Sequence, residues 1–240
     1  MQFRGGVTSR GDAEPTAYVA ADPAAEAALE QALQSAGGAF TCQADPGNSW
    51  NVNKPKTFNV VGSAGATIAT IHLKGSKEPV TVTLPDGRHA FVLTKSGEYA
   101  NGIAVFNATL AGKPVKTKPV LSCTAMCEGQ LGAPTEIRGA QGEGILSFES
   151  PKLPWVFPFL LVTACLGAFC VDCMAGNPKF LLTKNYVQVG HIDKSKDGWT
   201  IVAANQDARI LKEAVLLMAY AEYYNAYASD GGGGGAVVVF

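Results

Sequence analysis

Apolar and polar positions change their spacing twice along this chain. Ala24 to Ala36 is rich in Ala, Leu and Glu, with Leu29, Ala32 and Leu33 on one stripe. That spacing predicts a short helix, with Asp22 as its cap, Pro23 at its first position and Gly37-Gly38 as its stop. From Phe40 to about Glu149 the pattern becomes one of short β-prone runs broken by turns. Thr57–Val61 and Ala66–Leu73 flank the turn signal Gly62-Ser63-Ala64-Gly65, which predicts a hairpin. Val80–Leu84 alternates as V-T-V-T-L, the period of a half-buried strand. Pro85-Asp86-Gly87 turns into His89–Thr94. Gly102–Leu110 and Val115–Cys123 pair across the Ala111–Pro114 turn. Leu131–Gly144 is glycine-rich and reads as a loop, with Ile145–Phe148 a short strand after it.

The last third carries two apolar stretches. Phe180–Thr183, Tyr186–Ile192 and Trp199–Ala203 read as strands, joined by turns at Lys184-Asn185 and Asp193–Gly198. They lead into a helix, Ala208–Tyr227, capped by Asn205 or Asp207. Its apolar residues run almost all the way round: Ile210, Leu211, Val215, Leu216, Leu217, Met218, Tyr220, Tyr223 and Tyr224. A helix without a clean polar face must be enclosed by protein or by lipid. Arg209, Lys212, Glu213 and Glu222 make lipid costly, so the preceding strands are the expected enclosure. The four charges then belong near the mouths of a barrel or in pairs inside it.

Leu153–Met174 is the second stretch, with Asp172 as its one charge. Its length suits a bilayer crossing. Pro154 and Pro158 break a helix there, and its Val, Phe and Cys content suits one or two buried strands. The domain plan is a tail with a short helix over residues 1–38, one domain over 39–228 and a Gly-rich tail over 229–240. No internal repeat of constant period is present.

Composition narrows the function classes. The chain of 240 residues is 47% hydrophobic and 16% charged, so its charge content falls below the usual quarter. A net charge of −1 leaves no electrostatic footprint for nucleic acid. Met1–Ala20 lacks the apolar middle of a secretory signal, which makes an intracellular location the expectation. Arg10-Gly11-Asp12 is short enough to arise by chance, and the Asn107-Ala108-Thr109 sequon matters only in a secreted chain.

Candidate chemistry is sparse. Cys165-x4-Cys170-x2-Cys173 has the spacing of three iron–sulfur ligands, with Cys123 or Cys127 as the fourth. Bulky apolar residues between them favour inert buried thiols or fatty acylation instead. Asp193-Lys-Ser195-Lys-Asp197-Gly198 matches the start of a calcium loop, but its twelfth position is Ala204 rather than Glu. A polar hairpin turn is the better reading, and no cofactor or metal is expected. His72, His89 and His191 have no ligand spacing, and no nucleophile elbow or phosphate loop occurs.

The order of parts resembles the phospholipid scramblase group, with the plant LURP-one-related proteins and the Tubby C-terminal domain as relatives. Cys165, Cys170 and Cys173, then Val189-Gly190-His191-Ile192-Asp193-Lys194, Trp199, Asp207 and the helix through Tyr224 carry the likeness. The resemblance implies a closed β-barrel of about twelve strands around a central C-terminal hydrophobic helix. The scramblases' proline-rich arm is absent, and Val202–Ala208 offers only Asp207 in place of an acidic calcium-binding segment. The expected function is therefore a non-enzymatic, membrane-associated or lipid-binding module, with Cys165, Cys170 and Cys173 as acylation candidates. A structural or accessory subunit of a larger assembly is the alternative, and an iron–sulfur redox protein the third reading.

Overall fold

A computed structural model describes residues 20–48, 54–100, 103–119, 135–149, 179–195 and 198–227. Twelve antiparallel strands form a closed barrel in which each strand neighbours the next in sequence, and the first pairs with the last. Helix α1 (Pro23–Ser35) precedes β1 (Ala39–Ala44), β2 (Lys56–Gly62), β3 (Thr67–Leu73), β4 (Val80–Thr83) and β5 (His89–Ala100). Then come β6 (Ile103–Leu110), β7 (Lys113–Pro119), β8 (Thr135–Gly139) and β9 (Gly144–Glu149). The last strands are β10 (Lys179–Lys184), β11 (Val187–Ser195) and β12 (Gly198–Ala203), followed by helix α2 (Ala208–Tyr227).

The closure is a non-local pairing: Cys42 sits opposite Trp199, and Phe40 opposite Ile201. A barrel of eight strands is just wide enough for side chains to fill. Twelve strands enclose a wider space, and α2 fills it. Leu211, Val215, Leu216, Leu217, Met218 and Tyr220 are fully buried. They meet inward residues of the wall such as Phe40, Val60, Ile71, Phe91, Phe106 and Ile137. Each such side chain stabilises the fold by roughly 1.5–3 kcal/mol through burial. The expected barrel around a central helix is what the chain forms.

One expectation fails locally. Residues 131–144 read as loop, yet Thr135–Gly139 is strand β8, paired to β7 and β9. Its sequence, T-E-I-R-G, holds one strong core residue, Ile137, and its neighbours in the barrel rather than its own period make it a strand. Similarly, β11 continues through Asp193 to Ser195, where a turn was expected. The Leu153–Met174 stretch lies outside the described residues.

The registers place every strand end at one of two ends of the barrel. Residues 63–66, 84–88, 111–112, 140–143 and 185–186 turn at one end, hereafter the turn end. The strand ends at Ala44, Lys56, Leu73, Val80, Ala100, Ile103, Pro119, Thr135, Glu149, Lys179, Ser195 and Gly198 lie at the other, the loop end, with the connection 74–79. Helix α1 packs on the turn end, where the backbone N–H of Asp22 donates to His89 and the Ser63 hydroxyl to Ala36. Asn205 and Gln206 both take positive φ and swing the chain from β12 into the barrel axis. Gly38 lies against Gln206 so closely that any side chain there would overlap it. Helix α2 thus enters at the turn end and finishes at the loop end.

Candidate binding surface at the loop end

The four charges of α2 divide as its axis does. At the turn end, the Lys212 ammonium lies 2.6 Å from Glu30 Oε2 and 2.9 Å from Glu26 Oε1. Both Glu26 oxygens also accept the Ala111 N–H, at 2.9 and 3.0 Å. Burial works to lower the Lys212 pKa, but hydrogen bonds to Glu30 and Glu26 outweigh it and hold the group above its ordinary value. Glu213 pairs with Lys184 at 3.6 Å. Its carboxyl is raised by burial, with Lys184 opposing. Arg209 reaches Glu30 at 3.9 Å and is largely exposed. A cleft of about 560 Å³ opens here between the 111–112 and 140–143 turns and the first turns of α2. Lys212, Glu213 and Arg209 line it and are engaged with neighbouring charges, so it presents no unopposed charge of either sign from the helix.

Towards the loop end α2 becomes aromatic. The Tyr220 hydroxyl donates to the Ala104 carbonyl at 3.0 Å, and that of Tyr223 to Ser76 at 2.7 Å. The Tyr227 hydroxyl donates to Leu73 at 3.5 Å. Phe106 packs edge-on against Tyr220 and Tyr223, and Lys95 Nζ sits 5.5 Å from the Tyr223 ring centre. These contacts fasten the 74–79 connection to the helix. Each phenol thus finds a backbone carbonyl as its partner at the barrel mouth.

Four lysines stand on this fastened rim. Lys54 and Lys56 approach and begin β2, and Lys74 and Lys77 lie in the adjoining 74–79 connection, since Lys56 pairs with Leu73. Lys54, Lys74 and Lys77 are exposed and Lys56 is half-buried. None of the four makes an ion pair with another described residue, which is also so for Lys95 and Lys113, whereas Lys116, Lys118 and Lys184 each do. Asp45 and Glu78 are the nearby described acids on the same connections, leaving this part of the rim positive. The adjacent His72 is held below its ordinary pKa by burial, then by Lys74 and His89.

The residues singled out from sequence fall differently. Cys165, Cys170 and Cys173, and Cys123 and Cys127, lie outside the described residues. Asp193 is on β11 opposite Thr200, and its Oδ2 is 3.3 Å from His191 Nε2. Ser195 ends that strand opposite Gly198, and Asp197 lies outside the described residues. Among the described residues no cluster of three His, Cys, Asp or Glu side chains forms a metal site. The motif behind the family likeness has structural work instead. Gly190 approaches the Val202 carbonyl of β12 so closely that a Cβ would collide with it. Ile192 and Trp199 are core, and Asp207 Oδ1 accepts the Arg209 N–H at 2.9 Å as the cap of α2.

The lysine rim was not singled out from sequence. Lys54–Lys56 and Lys74–Lys77 are ordinary connection residues until the β2–β3 register brings them together. Comparison with protein-family models, curated proteins and solved structures finds no match for this chain.

Proposed function

We propose that this chain is a non-enzymatic membrane-surface module that docks on anionic lipid through the loop end of its barrel. The observation that carries the reading is the set of lysines Lys54, Lys56, Lys74 and Lys77, none in a salt bridge with a described residue, on a rim to which Tyr223 and Tyr227 bond at Ser76 and Leu73. A basic residue near an anionic leaflet contributes about 1 kcal/mol. Three exposed lysines and the half-buried Lys56, partly offset by Asp45, Glu78 and, for Lys56, Glu222, give weak binding alone, and stable anchoring takes two signals.

The apolar stretch Leu153–Met174 supplies the second. Its connection leaves β9 at Glu149 and returns to β10 at Lys179, and those strands are neighbours, with Glu149 opposite Leu181. Both ends of the connection therefore belong to the loop end. A single bilayer crossing would put Glu149 and Lys179 on opposite faces of the membrane, against that pairing. Entry and return from one face accords with it, and so does acylation at Cys165, Cys170 or Cys173. Among the described residues no helix is long and apolar enough to cross a membrane. The filled interior also favours an external binding surface over an internal ligand cavity. The resemblance to the scramblase, LURP-one-related and Tubby group agrees in architecture and supports the same reading.

Flotation with vesicles tests it. The chain should float with phosphatidylserine-containing vesicles, float less in high salt, and stay down with neutral vesicles. Loss of flotation after hydroxylamine would assign the anchor to thioesters. Failure to float in any condition, with co-purification of fixed partners, would replace this reading with that of an accessory subunit.

A further inference from the structure

Glu222 is the one α2 charge without a salt bridge among the described residues. It is 7% exposed, inside the barrel, about a turn and a half from the end of the helix. No described group hydrogen-bonds its carboxyl. Tyr220, Tyr223 and Tyr227 recur at helical spacing and share one face, the face bonded to Ala104, Ser76 and Leu73. Position 222 falls on the opposite face. On that side Lys56 of β2 is the charge that acts on it, and Glu222 in turn acts on Cys42 of β1. Cys42 is itself 1% exposed, packed between β2 and the buried Trp199 of β12. Among the described residues, the hydrogen bonds from the last turns of α2 to the wall run from its tyrosine face.

We propose that Glu222 is a proton-controlled latch: its neutral carboxyl seats the last turns of α2 against β1 and β2, and its ionised form parts them. An ionised carboxylate lacking hydrogen bonds in an apolar wall draws water or moves towards it. The tyrosine face keeps the helix end tethered while the opposite face opens. Burial places the carboxyl's pKa at about 7, with Lys56 opposing the rise, so the change falls near neutrality. Opening uncovers the Cys42 thiol, which burial otherwise holds well above the ordinary thiol range.

Pulsed alkylation read at Cys42 by peptide mass spectrometry tests the latch in the full chain. Labelling of the wild type, corrected for the pH dependence of a free thiol, should rise several-fold between about pH 6 and pH 8.5, following carboxyl ionisation. In Glu222→Gln the corrected rate should stay low and flat. Amide exchange of residues 220–227 in the wild type, corrected for intrinsic rate, should quicken over the same interval, and this readout needs no variant. Identical corrected profiles for wild type and Glu222→Gln, or pH-independent exchange in 220–227, would overturn the proposal.

Discussion

Lys212, on the helix inside the barrel, and Glu26, on the helix that covers its turn end, lie 2.9 Å apart with both side chains almost wholly buried. This pair joins α1 to α2, and Glu26 ties both to the 111–112 turn through the Ala111 N–H. Helix α1 is therefore part of the barrel's closure, held by charge as well as by Leu29 and Leu33.

Removing one partner leaves the other buried and uncompensated. Lys212→Met should cost roughly 2–4 kcal/mol. Arg209→Ala, at a side chain 80% exposed, should change stability by about 0.5 kcal/mol or less. Urea denaturation of the two variants checks the contrast, and equal effects would remove Lys212 from this role.

Gly190 and Gly65 give a second contrast. Gly190→Ala would drive a Cβ into the Val202 carbonyl, at a cost of about 2–3 kcal/mol because backbone must move. Gly65 has open space around it and a φ of +80°, so alanine there meets only backbone strain of about 1 kcal/mol. Thermal denaturation of both variants should preserve that order.

The 185–186 turn carries a removable strain. Asn185 and Tyr186 both have positive φ, at 50° and 63°, in a two-residue hairpin that favours glycine second. Tyr186 is 93% exposed. Tyr186→Gly should therefore stabilise the fold by about 0.5–1 kcal/mol, read as a higher Tm.

Stability should also depend on pH through Glu222. Its folded pKa of about 7 exceeds the ordinary 4.5. The stability tied to the neutral form is complete below the unfolded value and is lost as pH rises through about 7. A shift of this size corresponds to at most about 3 kcal/mol. Glu222→Gln should accordingly be more stable than wild type above pH 7, with the difference vanishing near pH 4. Urea midpoints across that range measure it.

Much of the fold was legible because it is local. The all-round apolar pattern from Ile210 to Tyr224 demanded enclosure, and turn signals such as Gly62–Gly65 and Pro85-Asp86-Gly87 marked hairpins between sequential strands. β8 escaped because Thr135–Gly139 has a weak pattern and is made a strand by β7 and β9. The surface escaped for a related reason. Lys54, Lys56, Lys74 and Lys77 become one rim only through the β2–β3 register, and Lys212 meets Glu30 across 182 positions of sequence. Spacing along a chain carries no record of such meetings. The calcium-loop motif was conspicuous as spacing, yet Asp193 and Ser195 prove to be strand residues.

Amide exchange with and without phosphatidylserine-containing vesicles tests the membrane-docking account most directly, because it reports which end of the barrel meets lipid. Protection on adding vesicles should appear in 45–48, 54–56 and 74–79 at the loop end. The turns at 84–88, 111–112 and 140–143 should exchange as before. Protection confined to the turn end, or no change at either end, would contradict docking through the lysine rim.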